Sequence, residues 1–502
     1  MFKKIKGLLF QNQTTRQTIA KNTFWLGLSN IGGRLIRSAI IIYSARVLGA
    51  AEWGVFSYAL ALAAFVTSFT DVGINPIIVR ETNRLKSEPM VQKQIVSTSF
   101  VLKLLLVILS AVLILFLAPH FTSEPGIKAI LPIVVFIVIF DTFRELGNAI
   151  ARSLEKMEWE AGLYFLTNIA IVIFGFIALY TSKTVTALTY AYAAGTGVGM
   201  LASVVILKDY LSGLFKNFYF KWVKHILAIG WPMALSGVLG SLMISTDILI
   251  IGWLRSTQDV GLYSAAQRIV QLLYLIPATL AWSLLPIFSR LAASNDKRRK
   301  RDVLERALGI MYLVAIPTAL GGILLGTKII GFVFGSPYLG GTFSFQMLMA
   351  TILIDFPITI ITLFIFANNR QKNITIYAAI GGACNVIFDL ILIPRFGING
   401  SAVATFLAQL ISNIYVRYAA KKIDYFQIVR HLKKIIIAAA IMSCAIIVIK
   451  NLQLNVIIDI IIGAAIYFLA LLALKEPLFK ELKFILRPAA SASPESNGPS
   501  SV

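Results

Sequence analysis

The chain has 502 residues, of which 58% are hydrophobic and only 14% charged, with a mean hydropathy of +0.81. These values exclude an ordinary soluble domain. The net charge of +23 would point to nucleic acid in a soluble chain; here it is better explained by basic residues collecting in the loops on one side of a membrane.

Residues 1–21 read as a basic, amphipathic cytoplasmic segment with no cleavable signal peptide, because the first apolar run is too long for one. About fourteen apolar runs of bilayer-spanning length follow. Their limits are 22–48, 53–80, 95–118, 129–151, 160–181, 185–207, 227–253, 259–289, 305–334, 342–367, 373–394, 398–420, 433–450 and 454–474. Alternate connections are basic: Arg80, Arg84, Lys86 and Lys93; Arg152 and Lys156; Lys208, Lys216, Lys221 and Lys224; Lys297-Arg298-Arg299-Lys300-Arg301; Arg370 and Lys372; and Lys421 and Lys422. The opposite connections are short and carry few charges. This asymmetry predicts both termini in the cytoplasm and an even number of crossings. Residues 208–226, basic and aromatic, read as an amphipathic linker on the inner surface. The tail from 475, low in complexity from about 488, reads as disordered.

The first two spans echo the seventh and eighth. Residues 24–59 align on 231–266 without a gap, at a constant offset of 207. Leu28, Ser29, Gly33, Gly54 and Ser57 meet Leu235, Ser236, Gly240, Gly261 and Ser264. Two similar halves around a shared site are the usual architecture of a secondary transporter. The expected fold is an all-α integral membrane protein: a six-helix N-lobe (22–207), a six-helix C-lobe (227–420) and two C-terminal helices (421–474 with the preceding basic loop), the two lobes pseudo-symmetric around a central cavity.

Ionisable residues inside the spans cost about 2.5–3.5 kcal/mol each at mid-bilayer, so they mark a cavity or a partner. In the first span Asn30, Arg34 and Arg37 share one helical face, and two arginines there suit a phosphate group. Span four carries Asp141, Arg144, Glu145 and Asn148, with an internal Asp141–Arg144 pair as the alternative to a substrate role for Arg144. Span eight adds Arg268 and Gln271. Asp71, Asp141, Glu145, Asp247 and Asp355 are candidates for coupling to a proton or sodium ion, with Asp389 and Asp459 less suited. Lys103 and Arg46 are expected to snorkel from span ends. Pro232, Pro277, Pro317 and Pro357 are candidate pivots. No catalytic cluster, metal site or bound cofactor is expected.

Several stretches resemble the polysaccharide-flippase branch of the multidrug/oligosaccharidyl-lipid/polysaccharide exporter superfamily. They are Asn22-Thr23-Phe24-Trp25, Ala45-Arg46-Val47-Leu48-Gly49, Thr70-Asp71-Val72-Gly73, Asp259-Val260-Gly261-Leu262-Tyr263-Ser264 and, most closely, the run from Asn385 through Asp389 and Pro394 to Ala402. The resemblance covers roughly residues 20–420. It implies alternating access, and flipping of an undecaprenyl-diphosphate-linked oligosaccharide from the inner to the outer leaflet of a bacterial cytoplasmic membrane. Arg268 falls where related lipid II flippases keep a cavity arginine. Their Arg-Asp pair midway along the first helix is replaced by Ile40-Ile41, which leaves Arg34 and Arg37 to hold the anionic head. The implied partners are the lipid-linked glycan, membrane lipids and a polymerase or chain-length machinery, for a monomeric transporter without nucleic acid. A drug or cation antiporter is the alternative, and it would want an acidic cavity. A membrane-embedded polymerase or ligase is a third reading; it would want an outer loop or a catalytic cluster, and the sequence offers neither.

Overall fold

The computed structural model describes residues 15–85, 87–122, 124–211, 213–293, 296–427, 432–452 and 454–478. The expected tail beyond 488 and most of the basic N-terminal segment lie outside these residues. The described chain is helical throughout, because long runs of Leu, Ile, Val and Ala must satisfy their backbone polar groups internally once water is withdrawn. In chain order the helices are α1 (Thr15–Asp71), α2 (Ile74–Arg84), α3 (Pro89–Val112), α4 (Pro125–Ser153), α5 (Met157–Thr181) and α6 (Val185–Ile206). They continue with α7 (Phe220–Leu254), α8 (Thr257–Leu273), α9 (Leu275–Ala293), α10 (Lys297–Phe334), α11 (Thr342–Ala367) and α12 (Gln371–Lys421). The last two are α13 (Leu432–Ile449) and α14 (Val456–Ala473). A single helical turn, Lys208–Leu211, precedes α7.

Among the described residues, eleven helical segments are long and apolar enough to cross a membrane, or twelve if the bent pair around α8 and α9 counts as one. Two of the eleven are far longer than one crossing. Phe24–Arg84 has 61 residues and Gln371–Lys421 has 51, about 90 and 77 Å of helix against a hydrocarbon core of about 30 Å. Each is broken by a glycine in a non-helical conformation, Gly49 (φ 75°) and Gly397 (φ 58°). A positive φ is open to glycine at no steric cost, so the chain reverses there without a loop.

Within the first half α5 packs on α1 and α6, and within the second α11 packs on α10 and α12; α7 and α8 also lie along α1, and α13 and α14 lie against α10. The segment between the halves, read as a surface linker, is docked on α3. Ser97 donates to the Leu214 carbonyl, the Tyr219 amide donates to Thr98 Oγ1 at 3.2 Å, and Phe215 meets Phe100 edge-on at 5.5 Å. The aromatic rings of Phe218, Tyr219 and Phe220 are left exposed.

The halves meet where α1 crosses α8, close to Gly49. A Cβ on Gly54 would overlap the Thr257 carbonyl oxygen, and a Cβ on Gly261 would overlap that of Ala50. Ser264 Oγ donates to Ser57 Oγ at 3.0 Å. These contacts are reciprocal: Gly54, Ala50 and Ser57 are the repeat partners of Gly261, Thr257 and Ser264. The same end is fastened by Tyr338, whose hydroxyl donates to the Ala45 carbonyl at 2.7 Å. Arg46 also contributes, donating through Nε to Val333 O at 2.8 Å and through Nη2 to Phe332 O. Arg46 thus caps the last carbonyls of α10 rather than snorkelling, a favourable position for a cation. At the opposite end the halves touch again, since a Cβ on Gly73 would overlap the Gly230 carbonyl oxygen of α7 and a Cβ on Gly230 would overlap that of Val72; elsewhere along α7 the facing surface is open. A Cβ added to Gly237 or Gly240 of α7 would meet nothing within 4 Å, and Leu28, Leu35, Trp231, Leu235 and Ile244 are exposed.

Because no side chain fits at the crossing, Gly54→Ala and Gly261→Ala should each destabilise the protein by about 1–3 kcal/mol. The double variant should cost less than the sum, since either methyl already separates the two helices. Thermal unfolding in detergent measures this; additive effects, or none, would contradict the close crossing.

Candidate functional site

Arg37 and Arg268 come together where the two halves face each other. On α1, Gly33 lets the Tyr164 ring of α5 lie against the helix backbone, since a Cβ there would overlap the ring. One turn further along α5, Asn168 is fully buried. Its Nδ2 donates to the Tyr164 carbonyl at 2.7 Å, and its Oδ1 accepts from Arg37 Nε at 2.7 Å. The Arg37 guanidinium lies 5.5 Å from the centre of the Tyr192 ring of α6, a cation–π distance. Arg268 approaches the same ring from α8, within electrostatic reach of both Tyr192 and Arg37. Its Nη1 donates to Gln271 Oε1 at 3.4 Å, and its buried Nε has no partner.

Among the described residues neither Arg37 nor Arg268 makes an ion pair. Two guanidinium groups within electrostatic reach of each other repel, and no carboxylate among the described residues pairs with either. The gap beside Arg37, lined by Ile40, Ser44, Phe56 and Tyr192, measures only about 10 Å³, room for one water. A larger anion therefore has to approach from the open end. Arg34 is exposed and is not part of this cluster, and the side chain of Asn30 lies outside the described residues.

The buried cations of the first half are answered. Arg144 lies between Asp141 (3.1 Å) and Glu145 (3.0 Å), so the internal ion pair weighed from the sequence is present and the guanidinium is 7% exposed. Lys103, expected to snorkel, is instead 1% exposed and paired with Asp71 at 3.0 Å. The spacing placed it near a span end; the pairing is tertiary and leaves no local trace. Asp71, Asp141 and Glu145 are thus held by fixed cations in this conformation, which leaves them poorly suited to take up a mobile one.

The second half holds the opposite imbalance. Asp247 of α7 is buried, and its Oδ2 accepts from the Tyr263 hydroxyl of α8 and from Thr405 Oγ1 of α12 at 2.9 Å. Asp389, fully buried, lies within hydrogen-bonding reach of Asp247. Asn385 Nδ2 donates to Thr405 Oγ1 at 3.5 Å. Both Asp389 oxygens, Asp247 Oδ1, Asn385 Oδ1 and Ser401 Oγ have no partner, and no Lys or Arg pairs with either carboxyl among the described residues. Carboxylate, amide and hydroxyl oxygens without a fixed cation form a donor set suited to a proton or a hard cation. Sequence reasoning found Asp247 but set Asp389 aside and passed over Asn385, Ser401 and Thr405. The available signal was two i, i+4 polar pairs, 385/389 and 401/405, on either side of the Gly397 break.

Asp355 is 6% exposed and accepts from the Tyr274 hydroxyl, a neutral partner at the end of α8. Asp459 is paired with Lys328 at 2.7 Å, which ties α14 to α10. Among the described residues no group of three or more His, Cys, Asp or Glu could hold a metal.

Comparison with known proteins agrees with this architecture. The family model described as "polysaccharide biosynthesis protein" matches residues 19–292, and the MatE model matches residues 232–391. A probable low-salt glycan biosynthesis flippase of Haloferax volcanii is 24% identical over 92% of this chain and 98% of its own length. A probable flippase of the same organism is 23% identical over 91% of this chain and 96% of its own. The fold matches that of the lipid II flippase MurJ in an inward closed conformation, with a TM-score of 0.72 and 21% identity over 91% of this chain and 99% of that one. The chain is a multi-pass membrane protein belonging to the polysaccharide biosynthesis protein family.

Proposed function

We propose that this protein is a flippase that carries a glycan on a polyprenyl diphosphate anchor across the membrane by alternating access. The observation that carries the reading is the unanswered pair Arg37–Arg268, one guanidinium from each half. A diphosphate supplies the missing negative charge with oxygens that match guanidinium geometry, and it draws the halves together. The polyprenyl chain stays in lipid while the polar head crosses along a cationic path, which removes much of the cost of burying it. The chemistry is transport, with no bond made or broken. The flippase names of the Haloferax relatives support the substrate class. Those relatives are archaeal and the sequence resemblance is bacterial, so the anchor is taken only as a polyprenyl lipid. The antiporter alternative calls for an acidic cavity, whereas the unpaired charges that meet between the halves are Arg37 and Arg268.

Counting two crossings in each of the glycine-broken segments and one across the bent α8–α9 pair gives fourteen. The basic connections then face the cytoplasm together with both termini, so the open end of the chamber is cytoplasmic and the fastened end is external. The reciprocal Gly54–Thr257 and Gly261–Ala50 contacts, with Ser57 on Ser264, support a pseudo-twofold relation between the lobes. In the same reading, Asp247 and Asp389, with Asn385 and Thr405, take up a sodium ion or proton that drives the cycle. Helix α8 carries both Tyr263 of that site and Arg268 of the chamber, which links ion occupancy to substrate.

Arg37→Ala and Arg268→Ala should each lower export about ten- to hundredfold, the value of one lost charge-assisted hydrogen bond, at equal protein levels in a glycan-export complementation assay. Arg37→Lys should recover only part, since an ammonium cannot make the two-pronged contact. Full export by both alanine variants would overturn the assignment.

Asp247→Asn and Asp389→Asn should each abolish the response of transport to sodium and proton gradients in proteoliposomes. They should also remove any sodium-dependent rise in melting temperature. An unchanged ion response would reject the coupling site.

A further inference from the structure

A second cavity, of about 380 Å³, opens within the first half between α1, α4 and α5. Ser29 of α1, Glu145, Asn148 and Arg152 of α4, and Glu160 and Tyr164 of α5 line it. We propose that it recognises an uncharged sugar ring of the carried glycan on the cytoplasmic side, an inference that rests on the flippase reading.

Its size belongs to small-molecule sites, which run from about 300 to 1,000 Å³. A bare cation needs oxygens closing on it at about 2.3–2.6 Å, and this cavity is far too open for that. Among the described residues it has no free cation for the diphosphate: its carboxylates are already paired, Glu145 with Arg144 at 3.0 Å and Glu160 with Arg152, whose Nε lies 2.8 Å away. The remaining chemistry suits hydroxyl groups that both donate and accept. Glu145 and Glu160 offer acceptors, while Asn148 donates to Glu145 Oε1 at 3.2 Å and keeps a buried Oδ1 without a partner. Tyr164 adds an aromatic ring and a phenol. A polar wall with no free cation accepts a neutral hexose or N-acetylhexosamine and leaves the extra charge of a uronic acid unpaired.

Position joins the cavity to the phosphate site. Glu160, Tyr164 and Asn168 recur at i, i+4 and i+8 on one face of α5, and Asn168 is the residue that holds Arg37. Tyr164 is therefore the partition between the sugar cavity and the arginine chamber. A head group with its diphosphate at Arg37 and Arg268 has its sugar one to two helical turns nearer the cytoplasm. All the lining helices belong to the first half, so rocking of the two halves does not dismantle the cavity.

The test is thermal-shift titration of the full-length protein in detergent at millimolar concentrations of three kinds of probe. These are inorganic pyrophosphate, a panel of neutral hexose and N-acetylhexosamine 1-phosphates, and glucuronic acid 1-phosphate, with inorganic phosphate as the reference. At least one neutral sugar phosphate should bind about tenfold more tightly than inorganic phosphate, and the glucuronic acid compound should not. Asn148→Leu and the cavity-filling Ser29→Leu should erase that gain while leaving the pyrophosphate shift intact, which also shows that the variants are folded. Arg37→Ala should do the reverse, losing the pyrophosphate shift. No sugar-dependent gain in the unaltered protein, or a gain retained in both cavity variants, overturns the proposal. Failure of the unaltered protein to bind pyrophosphate would instead overturn the flippase reading.

Discussion

A charge inside a membrane-embedded helix bundle has to be answered, and how each one is answered organises this structure. Lys103 with Asp71, Arg144 with Asp141 and Glu145, Lys21 with Glu158, and Lys328 with Asp459 are neutralised within the protein. Each ties two elements, or two turns of one, and removing one partner of such a buried pair typically costs about 3–5 kcal/mol. Besides Asp355, which has only the neutral Tyr274 hydroxyl, two clusters of opposite sign are left without an ionic partner among the described residues. Arg37 and Arg268 face each other across the junction of the halves without a carboxylate, and Asp247 and Asp389 lie together in the second half without a cation.

Glycine makes the junction possible. At Gly54 and Gly261 the two central helices approach until backbone meets backbone, and at Gly73 and Gly230 the halves touch in the same way at the other end. At Gly49 and Gly397 the long helices are interrupted within a residue or two, with no loop inserted. Rocking about such a crossing needs few side chains to repack. The helix that makes the crossing, α8, also bears Tyr263, Ser264 and Arg268 within two turns, so the cation site, the junction and the anion site move with one rigid element.

Much of the fold was legible in the sequence because apolar length is a strong local signal. The span read at 342–367 coincides with α11, and the repeat at offset 207 anticipated the reciprocal Gly54 and Gly261 contacts. Arg37 and Arg268 could be named because arginine in an apolar run is rare and costly. What was not legible is tertiary. Arg34 and Arg37 lie three residues apart on one helix, and only the bundle decides which turns inward. Asn168 and Tyr192 carry no charge to draw attention, yet they position Arg37. Lys103 looked like a residue at a span end because its partner, Asp71, is on a different helix. Asp389 looked peripheral because only folding brings it beside Asp247.

The central claim is that a cationic chamber shared by two lobes carries a diphosphate-linked sugar across the membrane. The most direct measurement uses the purified protein in unilamellar vesicles loaded with a short-chain prenyl diphosphate sugar, with a lectin added outside to capture sugar that reaches the outer surface. The account predicts capture beyond the half of the lipid initially exposed, in vesicles with the unaltered protein and not in vesicles carrying the Arg37→Ala, Arg268→Ala double variant. Capture that stops at half in both, or that proceeds equally in both, would contradict it.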